Sequence, residues 1–229
     1  MRKWLIGIVA CMACVVCMGS AQAGFHNGIL AYFAEDFTVA YKEFKPLADK
    51  GNVNAQYYLG TMYDNGWGVP KNRATAAELY RKSGEQGNTD ALYNWGIMVA
   101  KGDGVEKDPA LAAKIYRKAA ELGDMDSMTN LATLFSEGQG VTKDLKQALL
   151  LYRRAADRGH VLAQYNLAIM LELGEGGGAD PVQAWRWYKR AAEAGDVDAI
   201  KRVAKAYKNG ELGQEANAQN AAMWATKAK

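Results

Sequence analysis

The chain has 229 residues, with 28 Lys and Arg against 25 Asp and Glu, and its formal net charge is +3. Because the sequence has no long run of basic residues, it excludes the concentrated positive face that nucleic-acid binding needs. All three cysteines lie within the first 17 residues. Disulfide bonds are therefore excluded as a source of stability in the rest of the chain, even in an oxidising compartment.

The N-terminal segment predicts a secretory leader. Two basic residues precede an apolar run from Trp4 to Met18, and Ala21-Gln22-Ala23 matches a small-x-small cleavage site. We therefore expect a signal peptide over residues 1–23 and an exported protein without a stable membrane span. The periplasm is the favoured destination and secretion is the alternative. A retained anchor and a lipid-modified Cys11 are minor alternatives, because the apolar run is short for either.

After the leader, one pattern recurs every 36 residues. Each copy opens on a small residue, has a second small residue five positions later, then a glycine, and later an aromatic residue. The opening residues are Ala55, Ala91, Ser127, Ala163 and Ala199, and the aromatic residues are Tyr80, Tyr116, Tyr152, Tyr188 and Trp224. A repeat of this length predicts stacked supersecondary units that present a long binding surface.

Each copy predicts two helices, which in the first copy run from about Ala55 to Asn65 and from about Arg73 to Glu85. Short polar residues precede the second helices and are expected N-caps: Asn72, Asp108, Asp144 and Asp180. Glycines follow the same helices and are expected to adopt a left-handed conformation: Gly51, Gly87, Gly123, Gly159 and Gly195. Similar N-caps are expected for most first helices, but His160 breaks that pattern. The recurring tyrosines are expected to fill the core between helices.

Three segments carry a family resemblance: Ala163-Gln164-Tyr165-Asn166-Leu167-Ala168, the loop Gly102-Asp103-Gly104-Val105-Glu106-Lys107-Asp108, and the helix end Trp187-Tyr188-Lys189-Arg190-Ala191-Ala192-Glu193-Ala194-Gly195. They resemble Sel-one-like repeats, the tetratricopeptide-related α/α repeats of secreted bacterial type. The resemblance covers roughly residues 36 to 229. It implies an all-α fold, an α/α solenoid in which helix-turn-helix repeats of 36 residues form a right-handed superhelix.

The phase of the repeat divides the chain after the signal peptide. We expect a single solenoid over residues 24–229, which starts with a partial repeat and ends with a degenerate cap repeat. The expected segments are a partial repeat at 24–54, repeats at 55–90, 91–126, 127–162 and 163–198, and the cap at 199–229.

Residues suited to catalysis are few, so we expect no enzyme, no metal site and no cofactor. Only His26 and His160 represent histidine, and the serines after the leader are Ser83, Ser127 and Ser136. None of these serines is followed by a lysine at the Ser-x-x-Lys spacing of penicillin-binding proteins. Some cysteine-rich relatives in the family are linked to β-lactam binding. The alternative function is therefore a cell-wall-active protein that binds or hydrolyses a β-lactam-like or peptidoglycan substrate.

A recurring amide predicts a binding surface on the first helices, which line the concave face of a solenoid. Asn94, Asn130 and Asn166 hold the same phase, and Tyr58 and Arg202 hold it in the end repeats. A side-chain amide can pair with both the N–H and the C=O of an extended peptide. The alternative is that each asparagine bonds a neighbouring helix.

A second candidate surface is the basic stripe of Lys201, Lys205 and Lys208 in the last repeat, which could dock an acidic partner. The simpler alternative is a solvated helix face. Together these features predict a scaffold or regulator in the cell envelope that binds other envelope proteins or peptide segments on its concave face.

Overall fold

The computed structural model describes residues 22–228, and all regular elements within that range are helices. Residues 22–33 form a helix, which takes the place of a first helix in the partial repeat. The eleven helices that follow are α1 Phe37–Asp49, α2 Val53–Asn65, α3 Arg73–Glu85, α4 Thr89–Lys101, α5 Pro109–Glu121, α6 Met125–Glu137, α7 Leu145–Asp157, α8 Val161–Leu173, α9 Pro181–Glu193, α10 Val197–Asn209 and α11 Ala218–Lys227. The all-α repeat fold expected from the sequence is confirmed.

The chain forms two compact units, of which the first extends to Lys107 and the second begins at Asp108. Helices α1–α4 belong to the first unit and helices α5–α11 to the second. Within each unit, helices that are neighbours in sequence pack against each other, as α2 does on α3 and α8 does on α9. Each helix-turn-helix repeat therefore buries its apolar faces against adjacent helices.

The predicted N-caps are present at the first and at the second helices of the repeats. Asn72 accepts a hydrogen bond from the backbone N–H of Thr75 at the start of α3, and Asp108 accepts one from Leu111 at the start of α5. His160, which departs from the Asn and Asp pattern of the other caps, also caps its helix: its Nδ1 accepts a hydrogen bond from the Ala163 N–H at 3.3 Å. An imidazole nitrogen therefore replaces the usual side-chain oxygen.

The second glycine of the inter-helix loop brings adjacent repeats into close backbone contact. At Gly104, φ is +75°, and a Cβ would lie 2.5 Å from the carbonyl carbon of Arg73, the first residue of α3. At Gly140, φ is +68°, and a Cβ would lie 2.2 Å from the carbonyl carbon of Pro109, the first residue of α5. Only glycine combines this left-handed conformation with so short an approach.

The recurring tyrosines are core residues, as predicted. Tyr80 is 2% exposed and Tyr152 is 4% exposed. The opposing small residues make room for these rings, since a Cβ on Gly60 would lie 3.0 Å from the Tyr80 ring. Small and large side chains thus interdigitate between α2 and α3.

The predicted signal peptide falls almost entirely outside the described residues. Within residues 22–228, no helix has both the length and the apolar character needed to cross a membrane.

Candidate functional site

The recurring asparagines lie at the same position on three first helices: Asn94 on α4, Asn130 on α6 and Asn166 on α8. Each is half-buried. None of the three amides forms a side-chain hydrogen bond with another residue in the 22–228 range. The alternative interpretation, in which each amide bonds a neighbouring helix, therefore gains no support from the geometry. The amide N–H₂ and C=O groups are left available to a ligand or to water.

Tyr58, the N-terminal member of the predicted series, belongs to an aromatic cluster of the first unit. Its ring stacks on Phe44 with centroids 5.4 Å apart and meets Tyr32 edge-on at 5.1 Å. Phe44 is fully buried beneath it. Tyr58 is therefore held rigidly by ring packing, and its half-buried edge is what could meet a partner.

Arg202, the C-terminal member, is held by two carboxylates. Its Nη2 donates to Glu172 Oε1 at 2.5 Å, and its Nη1 lies 2.8 Å from Glu211 Oε2. The Arg202 side chain is only 16% exposed. Its charge links α8 to α10 inside the second unit, so its predicted contact with a partner would compete with this internal pairing.

Glu172 is the centre of this polar network. Burial alone would raise its pKa, but hydrogen bonds from Arg202 and from the Tyr188 hydroxyl outweigh burial and lower the pKa below its usual value. Burial, followed by the bond to Glu172, raises the pKa of Tyr188. Glu172 thus stays ionised and Tyr188 stays protonated, which keeps the network intact at neutral pH.

The predicted basic stripe lies on one exposed face of α10. Lys201, Lys205 and Lys208 line a groove of about 530 Å³ between α10 and α11, and alanines complete its walls. The structure therefore brings the three lysines together. It also reveals an apolar groove beside them, which sequence analysis missed because alanine recurs at packed positions in most of the described helices.

His160 and Ser83 take structural roles. His160 Nε2 lies 3.0 Å from Asp126 Oδ1, and His160 Nδ1 lies 3.0 Å from Thr129 Oγ1, so the imidazole links two successive first helices. Ser83 is fully buried and donates to the Val53 carbonyl. Ser127 is also fully buried, and its hydroxyl has no partner.

Within the described part of the chain, no group of three or more His, Cys, Asp or Glu side chains is arranged to hold a metal ion.

The family is decided by a repeat model that matches most of the chain. The Sel1 repeat model matches residues 53–88, 89–124, 126–160, 161–196 and 197–229. The chain belongs to the Sel1 repeat family. Sel1 repeats mediate protein–protein interactions, and proteins built from them are generally non-catalytic scaffolds.

Solved structures agree with this assignment. The chain is 30% identical to c5321, a protective antigen of uropathogenic Escherichia coli displaying an SLR fold, with a TM-score of 0.87. That match covers 94% of this chain and 47% of the antigen, so this chain spans about half of its length.

A Sel1 repeat protein from Oxalobacter formigenes is 34% identical, with a TM-score of 0.81, over 88% of this chain and 82% of that one. The immunity protein Pa5087 from Pseudomonas aeruginosa is 20% identical over 91% of this chain and 81% of its own, with a TM-score of 0.53, and shows the fold alone. A comparison with curated proteins finds no significant match.

Proposed function

We propose that this Sel1 repeat protein is a non-enzymatic scaffold of the cell envelope. It binds an extended segment of another envelope protein through the first helices of its repeats, on the face predicted to be concave. Exported location is part of the proposal and rests on the basic residues, apolar run and cleavage motif of residues 1–23.

The observation that carries the binding proposal is the free amide at a repeated position. Asn130 and Asn166 in the second unit, and Asn94 in the first, are half-buried and lack side-chain partners among the described residues. A half-buried amide gains from a partner that satisfies both its donor and its acceptor. A peptide backbone offers both groups at every residue, so it can be bound regardless of its side chains.

The strength of such binding is modest by physical argument. Each hydrogen bond contributes about 0.5–1.5 kcal/mol net, because the peptide gives up bonds to water. The amides of Asn130 and Asn166, which lie in one unit, therefore fix register and add a few kcal/mol at most, and Asn94 offers the same contact in the other unit. Flanking side chains on the same helices must supply the specificity. In the second unit the exposed Glu137 of α6, two helical turns after Asn130, is available to do so.

Affinity capture tests this proposal directly. The full chain, expressed with its leader, is compared with the Asn94→Ala/Asn130→Ala/Asn166→Ala variant as bait in envelope extract, with mass spectrometry as the readout. A matched control variant has alanine in place of three other asparagines, Asn27, Asn54 and Asn220. We expect one partner to be held by the parent and the control and lost by the first variant, with equal helicity by circular dichroism. A partner held equally by all three proteins would refute binding through the amides.

Location is tested separately. Cell fractionation with N-terminal sequencing should recover a periplasmic or secreted protein that begins at Gly24. Recovery of an uncleaved cytoplasmic chain would refute the envelope assignment and leave the interaction assignment in place.

A further inference from the structure

The groove between α10 and α11 has an apolar floor and a basic edge. Five alanines line it together with Lys201, Lys205 and Lys208. Among the alanines, Ala222 and Ala225 are exposed to solvent. Alanine walls let a helix approach closely, because no long side chain holds the backbones apart.

The preceding repeat shows what shape fits such a groove. Helices α8 and α9 are the equivalents of α10 and α11, 36 residues earlier. Helix α10 itself packs on α9 and reaches α8 through the ion pair of Arg202 with Glu172. Ala168, the equivalent of Ala204, is completely buried there. A helix therefore fills this type of groove inside the repeat array.

The open groove between α10 and α11 is positively charged, whereas the equivalent groove between α8 and α9 carries the negative charge of Glu172. Lys208 stands where α8 has Glu172, the residue that attracts Arg202. In the same way, Lys205 replaces Ile169 and Lys201 replaces Tyr165. A helix that docks here must therefore carry carboxylates where α10 carries Arg202.

Nearby acidic groups leave most of this positive charge unbalanced. Lys201 pairs with Asp198 at 3.2 Å in an exposed contact. Glu172 and Glu211 are close enough to Lys205 for their charges to interact, but Arg202 already binds both carboxylates. Lys227 lies over the Trp224 ring at 4.2 Å and adds a further positive charge to α11.

Like charges at positions i, i+4 and i+7 of one helix repel one another. Acidic side chains of a docked helix would relieve that repulsion in α10.

We propose that the α10–α11 groove docks an amphipathic helix of another polypeptide, with small apolar residues on its buried face and Asp or Glu along its edge. A second copy of this chain does not supply such a helix at its N-terminal end, since residues 22–33 contain no carboxylate. The surface is distinct from the asparagine series, so the inference goes beyond the proposed function and does not depend on it.

A designed peptide provides the probe. It has the sequence of residues 196–210, the helix that fills the equivalent groove, with Lys201→Glu, Arg202→Glu, Lys205→Glu and Lys208→Glu, and it carries fluorescein. Fluorescence anisotropy measures its binding to the full chain. A scrambled peptide of the same composition is the control for non-specific attraction between opposite charges. We expect the designed peptide to bind at least about tenfold more tightly than the scrambled one.

Two variants locate the binding. Lys201→Glu/Lys205→Glu/Lys208→Glu should weaken binding at least about tenfold, whereas the control Lys42→Glu/Lys114→Glu/Lys146→Glu, with the same change in net charge, should weaken it less than about twofold. Ala225→Phe fills the groove without changing the charge and should also abolish binding. Circular dichroism checks the fold of each variant.

Four results would overturn the proposal: no binding of the designed peptide, equal binding of the scrambled peptide, equal weakening by the control triple, or full binding to the Ala225→Phe variant. Light scattering that detects a dimer dissolved by the same three lysine substitutions would assign the groove to a second copy and overturn it as well. None of these results bears on the asparagine series.

Discussion

The two units use one repeat frame but fill it with different chemistry. In the first unit, rings meet rings around Phe44, Tyr32 and Tyr58. In the second unit, polar groups join successive first helices, Glu172 with Arg202 and Asp126 with His160. Ring packing depends on shape and is insensitive to pH, whereas the link between Glu172 and Arg202 requires an ionised Glu172. The same fold can therefore have one region stabilised mainly by apolar packing and another whose stability responds to pH.

The largest expected effect comes from removing the central ring of the first unit. Phe44→Ala should lower the free energy of unfolding by about 3–5 kcal/mol, because it leaves a cavity beneath Tyr58 and Tyr32. Urea denaturation followed by circular dichroism measures the loss. The matched change in the second unit is Phe135→Ala, a half-buried ring that faces Arg117 at 6.0 Å. It should cost less than half as much, and equal costs would contradict the comparison.

The next effect concerns the polar network of the second unit. Glu172→Gln should cost about 2 kcal/mol near neutral pH, because it leaves the Arg202 charge partly buried with one carboxylate fewer. The folded pKa of Glu172 is lowered. Its contribution is therefore present above the unfolded value and is lost as pH falls through the folded value.

The cost of Glu172→Gln should accordingly shrink when urea denaturation is repeated below about pH 4. Glu78→Gln is the control. Arg81 lowers the pKa of Glu78 through a hydrogen bond, but both side chains are well exposed. A surface pair of this kind is worth at most about 1 kcal/mol. A loss at Glu172 that does not change with pH would mean that its charge has no part in holding α8 to α10.

A smaller effect is expected at the unusual cap. His160→Ala should cost about 1 kcal/mol through the lost bond to the Ala163 N–H, and His160→Asn should restore most of it. Asn88→Ala removes the cap of α4 in the first unit. The loss of stability that it causes in thermal denaturation is the reference value for an ordinary cap. If Asn88→Ala lowers the stability and His160→Ala leaves it unchanged, the imidazole does not stabilise α8.

The smallest effect is a gain, obtained by transferring a contact from the first unit to the second. Gln86 Nε2 donates to Gln56 Oε1 at 2.8 Å, but the equivalent Gln164 Oε1 is buried without a partner, because Ala194 stands at the position of Gln86. Ala194→Gln should add about 0.5–1 kcal/mol to the unfolding free energy. The gain should vanish in a Gln164→Met background, and a gain that persists there would have another cause.

Sequence reasoning predicted most of the fold because the same capping and packing residues recur in successive repeats. The caps at Asn72 and Asp108, the left-handed glycines after the second helices, and the buried tyrosines all follow from local chemistry that recurs in phase. Helix ends fell within a few residues of their predicted positions for that reason.

The site was harder to predict because its chemistry depends on contacts between repeats. The pairing of Arg202 with Glu172 joins residues 30 positions apart, and neither residue type marks such a contact on its own. His160 was missed as a cap because imidazole is not among the usual capping groups. The groove beside Lys205 depends on where α11 lies, which the irregular last repeat does not specify.

The glycine loops have a consequence for how this chain can change over generations. Gly104 rests on the backbone of Arg73, and Gly140 on that of Pro109. The spacing between neighbouring repeats is thus set by main chain against main chain and not by the identity of outward side chains. Outward side chains that contact no neighbouring helix can therefore change while the period of 36 residues is kept. Such a chain can acquire a new recognition surface one repeat at a time, while the glycine contacts that set the repeat spacing stay the same.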